Sequence, residues 1–275
     1  MRLWSCGSSK GGEDVSDTSR EQQAERQKEL LEEYDSESRY RVFSGKTVAT
    51  FVRILSILVA LYHLYGAALG TPVTLKHRSL HVAMTLGLAF LLYPFNKKGD
   101  RRKLAWWDAL SAILVASVAV YVWVDYLGII SRAGIPNGLD LVFGVLLVLL
   151  VLEGARRVTG PALPILGILF ILYAMFGQSM PGFFGHRGYS WDDLASFLFV
   201  STDGIYGTAV GVAASYIFLF ILFGAFMDKS GMGLFFNDIA LALAGHSRGG
   251  PAKVAVIASG LLGSINGSAV ANVVT

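Results

Sequence analysis

Gly250-Pro-Ala-Lys-Val-Ala-Val-Ile-Ala-Ser-Gly-Leu-Leu-Gly-Ser-Ile-Asn-Gly-Ser-Ala-Val-Ala-Asn-Val-Val-Thr275 is apolar enough to enter a bilayer, yet its middle, Gly263-Ser-Ile-Asn-Gly-Ser268, is a poor continuous helix. Asn-Gly favours positive φ and therefore a turn. The stretch reads as a half-helix over residues 254–263, a turn over 264–267, and a second half-helix starting at Ala269 with Ser268 as its cap. The product is a re-entrant hairpin. Irregular backbone at membrane depth survives only where protein covers it or a cavity adjoins it, so a pocket is expected beside the turn.

Broken helices of this kind free backbone carbonyls and side-chain oxygens for a hard cation such as Na⁺, and aim a half-helix N-terminus at an anion. Ser264, Asn266, Ser268 and Asn272 bring neutral oxygens, and Gly263 and Gly267 give the backbone its freedom to turn. Neutral ligands suit a monovalent ion that must be released again. The competing reading is that the small residues only allow helices to pack closely in lipid.

Working outward, 53% of the 275 residues are hydrophobic and 16% are charged, against about 25% charged in an ordinary soluble domain. Apolar blocks long enough to approach the span of about 20 residues occupy 47–70, 79–95, 106–130, 139–152, 161–176 and 207–227, giving an expectation of six spans. Six such blocks in one chain exclude a soluble protein with buried core helices. The formal net charge of +3 gives no reason to expect a nucleic acid partner. Lys and Arg concentrate in alternate loops: Arg39, Arg41 and Lys46, then Lys97, Lys98, Arg101, Arg102 and Lys103, then Arg156 and Arg157. The intervening loops carry fewer, so the positive-inside rule places the N-terminus in the cytoplasm.

Residues 1–46 hold much of the charge and read as a mobile cytoplasmic segment; the first ten residues lack the apolar region of a signal peptide. Cys6 is the single cysteine, which excludes an internal disulfide. Residues 47–152 form a four-span unit, 153–160 a polar, glycine-bounded connector followed by the helix-starting Pro161, and 161–275 a second unit. Trp191-Asp192-Asp193 suits the start of an interfacial helix with its acids at the positive end of the dipole, Asp203 a cap before the sixth span, and residues 234–243 a cytoplasmic interfacial helix. Trp106 and Trp107 anchor a span at the interface. His63 and Asp125 lie inside apolar blocks and are functional candidates by default, although a hydrogen bond across a bundle accounts for either; Glu153 beside Arg156 and Arg157 reads as an ion-pair residue.

No phosphate loop, HExxH or dinucleotide fingerprint occurs, so ATP hydrolysis on this chain is unsupported, and no nucleophile, base and metal ligands converge in the sequence to suggest an enzyme. Three segments resemble the large permease component of TRAP (tripartite ATP-independent periplasmic) transporters, in the fused form associated with TAXI binding proteins. They are Gly249-Gly-Pro-Ala-Lys-Val-Ala-Val256, Gly263-Ser-Ile-Asn-Gly-Ser-Ala-Val-Ala-Asn-Val-Val-Thr275, and the stretch from Asp203-Gly-Ile-Tyr-Gly-Thr208 to Phe226. Where separate-subunit members commonly have Ser-Gly-Ser at the turn, this chain has Asn266-Gly267-Ser268, which leaves the turn rich in oxygen while changing individual ligands.

The resemblance implies an all-α polytopic membrane protein of a bacterial or archaeal inner membrane. A four-helix small (Q-like) domain would precede the start of an elevator-type large (M-like) domain with a re-entrant hairpin. It implies Na⁺-coupled import of a small organic acid delivered by a periplasmic TAXI-type binding protein, with no cofactor beyond the coupling ion. Gly263, Ser264, Asn266, Gly267, Ser268 and Asn272 would be the cation or substrate site. Because the family's transport domain carries two hairpins, the resemblance also makes the chain an N-terminal fragment, incomplete for transport. The alternative function is a non-transporting membrane scaffold.

Overall fold

A computed structural model describes residues 40–41, 43, 45–95, 104–132 and 135–266. The expectation about residues 1–46 lies almost wholly outside them. The described chain is helical: α1 (Lys46–Leu69), α2 (Thr74–Leu92), α3 (Trp106–Val124), α4 (Tyr126–Ser131), α5 (Gly138–Val158), α6 (Ala162–Phe176), α7 (Trp191–Ala195), α8 (Thr208–Val212), α9 (Phe218–Lys229), α10 (Met232–Ala244) and α11 (Gly250–Asn266). A π turn over Ser196–Val200 continues α7, and another over Ala213–Ile217 joins α8 to α9 into one span.

Among the described residues, five helical segments are long and apolar enough to cross a membrane: Lys46–Leu69, Trp106–Val124, Gly138–Val158, Ala162–Ser179 and Thr208–Met227. The expected second span is not among them. Its helix, α2, has 19 residues, about 28 Å at 1.5 Å per residue, but carries Lys76, His77, Arg78 and His81. Placement explains the composition. His77, Ser79 and His81 are buried together with Leu75, Val82, Gly87, Phe90 and Leu91, so α2 is clothed by protein where its neighbours face lipid, and polar groups in membrane helices turn toward the bundle.

Helices α1, α2, α3 and α5 run up and down with short connections. At one end, Arg41 donates to Leu91 O and Asp108, and Arg157 donates to Asp108 and to Tyr93 O. That brings together the start of α1, the end of α2, the start of α3 and the end of α5. At the other end, Arg132 and Tyr121 converge on Asp140, and Trp123 Nε1 donates to Lys76 O at 3.2 Å. The core between them is Phe90, Val115, Val118, Val122, Leu147 and Leu150, closed by Phe199 and Tyr206 from beyond α7. Large apolar side chains such as Phe170, Phe220 and Val124 point outward, which a soluble monomer does not tolerate over such an area.

Two boundaries differ from expectation. The third block was read through residue 130, but α3 ends at Val124. Asp125 leaves helical geometry (φ −98°, ψ 24°) and α4 starts anew, because the Asp125 carboxylate turns to Arg132 Nη2 at 2.6 Å. The connector expected at 153–160 is mostly helix, since α5 runs to Val158 and only Thr159 and Gly160 (φ 93°) break it before Pro161. Glu153 pairs with Arg156 at 2.7 Å and Arg157 at 2.6 Å one turn on. Those i,i+3 and i,i+4 pairs, with cations at the negative end of the dipole, extend the helix through polar residues.

Candidate functional site

The first arm of the expected hairpin is α11. It is described over Gly250–Asn266, three residues further than the half-helix read from sequence, so the backbone at Ser264 and Asn266 is helical. Ser264 Oγ donates to Leu261 O at 2.7 Å, the back-bonding available to a hydroxyl inside a helix. Gly263 and Ser264 are exposed. Gly267, Ser268 and Asn272 lie outside the described residues, and so does the second arm; the side chain of Asn266 is likewise not described. α11 packs on α10, where Gly233 comes close to Leu262.

The end of a helix leaves its last carbonyls without intrahelical donors and carries the negative end of the dipole. α11 is described as far as Asn266, which Gly267 follows in the sequence. Carbonyl oxygens at a helix C-terminus can take a hard monovalent cation. The turn beside which a pocket is expected lies outside the described residues. A cavity of about 820 Å³ lies at the Arg132 end of the bundle, lined by Ile129, Arg187, Tyr189, Asp193, Phe197 and Asp203 among others.

That cavity is built by the connection between α6 and α8. Ser190 caps α7 in a reciprocal capping box with Asp193, as the acids of Trp191-Asp192-Asp193 led one to expect. The Ser190 hydroxyl and amide both donate to Asp193 and hold its carboxyl below the ordinary carboxylate range. Asp203 is not the cap of the sixth span. Gly207 stands at that position, and Asp203 is exposed in the preceding turn with its amide bonded to Ser201 Oγ at 3.1 Å.

The remaining candidates fall into side-chain networks. Asp125 belongs to a group in which Arg132 donates to Asp140 through Nε at 2.9 Å and Tyr121 adds its hydroxyl at 2.7 Å. Glu153 belongs to a chain that runs through Arg157 to Asp108 and Arg41. His63 does hydrogen-bond across helices, to His81. Sequence reasoning passed over His77, His81 and Asp108; the first two were signalled by their i,i+4 spacing, which puts both on one face of α2.

Residues 146–275 match the family described as tripartite ATP-independent periplasmic transporter, DctM component. The likeness is to a transporter component, not to an enzyme. The DctM match starts inside α5, runs through α6 to α11 and takes in all six hairpin candidates. It supports a permease of the tripartite ATP-independent type, and together with the apolar helices it supports a multi-pass membrane protein. Helices α1 to α4 precede it. No curated protein and no solved structure matches the chain.

Proposed function

We propose that this chain is the N-terminal part of the fused permease of a TAXI-associated TRAP transporter, which imports a small carboxylate together with Na⁺. The observation that carries the reading is the DctM match across α6 to α11, which includes α11 and the oxygen-rich sequence Gly263-Ser-Ile-Asn-Gly-Ser268. The last carbonyls of α11, with the side-chain oxygens of Ser264, Asn266, Ser268 and Asn272, supply neutral ligands suited to a monovalent ion. Gly263 and Gly267 allow the backbone to turn around it.

In this reading α1, α2, α3 and α5 are the small scaffold domain, and the start of the transport domain follows Pro161. The N-terminus and the end of the bundle that holds Asp108 face the cytoplasm of a bacterial or archaeal cell. The end that holds Arg132 and the cavity faces the periplasm, where a substrate-binding protein delivers the acid.

Uptake of labelled dicarboxylates into proteoliposomes carrying the complete gene product tests this. Transport is expected to need both an inward Na⁺ gradient and the cognate binding protein. Asn266→Ala or Ser268→Ala is expected to raise the Na⁺ requirement about tenfold, equivalent to roughly 1.4 kcal/mol of lost coordination. Uptake by folded protein with neither Na⁺ nor binding protein would overturn the proposal.

A further inference from the structure

His63 on α1 and His81 on α2 meet through Nε2 and Nδ1 at 2.8 Å, while His63 Nδ1 lies 2.8 Å from Val59 O. A carbonyl oxygen only accepts, so the His63 proton sits on Nδ1 and its Nε2 offers a lone pair. His81 must then donate from Nδ1, and both rings are satisfied as neutral imidazoles. A third ring, His77, takes the Tyr62 hydroxyl at its Nδ1 at 2.9 Å, and its Nε2 is buried without a hydrogen-bond partner among the described residues. The three rings are 2%, 6% and 7% exposed.

Phe218 covers this cluster, stacked on His63 with ring centroids 3.9 Å apart and planes 21° from parallel. It is the first residue of α9, directly after the π turn Ala213–Ile217. A π turn displaces the residues after it relative to a regular helix, and such turns recur at functional sites. Here it sets Phe218 against α1 and α2, so the contact joins the four-helix bundle to the span that the DctM match covers.

The groups facing the cluster make its neutrality matter. From α1 there is Tyr62; from α2 there is Arg78, which donates to Tyr206 O at 2.7 Å, while Lys76 turns to the rings of Trp123 and Tyr126. Residues 208–227 contain no Asp, Glu, Lys, Arg or His, and their one tyrosine, Tyr216, is exposed. Among the described residues, none of the groups acting on the three histidines is a carboxylate.

We propose that His63, His77 and His81 form an acid-sensitive latch that, when neutral, holds Phe218 and its span against α1 and α2. A proton from water enters at the lone pair of His81 Nε2 and makes a buried imidazolium beside the His63 and His77 rings, with no carboxylate acting on it among the described residues. A second proton, on His63 Nε2, sets two N–H groups head to head. Separation of Phe218 from the rings and entry of water relieve both, because a buried uncompensated charge costs far more than a solvated one. The latch is a property of this seam, whatever solute the protein carries.

The test replaces Cys6, the only cysteine, by serine and introduces either Ala214→Cys, buried in the π turn, or Val212→Cys, 41% exposed just before it. Each is labelled with a dithiodipyridine reagent, and the ratio of the two rates cancels thiol ionisation. Between about pH 7.5 and about pH 5.5 the Ala214→Cys to Val212→Cys ratio is expected to rise about fivefold, as a shift of roughly 1 kcal/mol in the seam would give. It is expected to stay flat in His63→Gln/His81→Gln, or in His81→Gln alone if the double variant does not fold. A flat ratio with all histidines present, or a rise that survives their replacement, overturns the latch.

Discussion

Asp108 has no exposed surface and accepts from Arg41 on one oxygen and from Arg157 Nη1 on the other at 2.6 Å. Arg157 stacks over Phe90 and its Nε returns to Glu153, which also holds the half-exposed Arg156. Removing the one carboxylate shared by two buried guanidiniums strands both, so Asp108→Ala is expected to cost about 3–5 kcal/mol. Arg156→Ala, with solvent at hand, is expected to cost about 1 kcal/mol or less. Thermal unfolding in detergent separates the two, and equal midpoints would show that Asp108 does not hold this end together. Glu153 was legible because its partners are three and four residues away. Asp108 was not, because its partners lie 67 and 49 residues off in sequence and only packing brings them near. At Ser264 a local rule for turns competed with helix formation, and the backbone there is helical.

At the scale of elements, hydropathy located α1, α3, α5, α6 and the 208–227 span because lipid-facing helices must be apolar along most of their length. It described α2 poorly as a span, since a helix buried by its neighbours is free to carry polar side chains that meet partners inside. The seam between α5 and the turn after α7 depends on a missing side chain. A Cβ on Gly144 would stand 3.2 Å from the Phe199 Cβ. Gly144→Val is therefore expected to overpack the seam at a cost of about 1–3 kcal/mol, and Gly144→Val/Phe199→Ala to recover part of it. A thermal-unfolding double-mutant cycle checks this, and strictly additive losses would mean that the two residues are not coupled.

For the whole molecule, the distribution of Lys and Arg leads to a membrane orientation that reporter fusions can read directly. Alkaline phosphatase joined in the α1–α2 connection at Thr71 is expected to be active, and joined in the basic stretch at Lys98 inactive; the reverse pattern would invert the orientation proposed for every helix. By itself the sequence determined that the chain is an all-α membrane protein and led to the expectation of an oxygen-rich turn at Asn266-Gly267-Ser268. These follow from properties that add up along the chain: apolar length against bilayer thickness, and local φ preferences at Asn-Gly. Only the tertiary structure decided that Asp108, Arg41 and Arg157 share one buried site, that His63, His77 and His81 form one cluster under Phe218, and that the cavity opens among residues 187–203. Those are meetings between residues far apart in sequence, set by which helix faces turn to one another, and no local pattern encodes that choice.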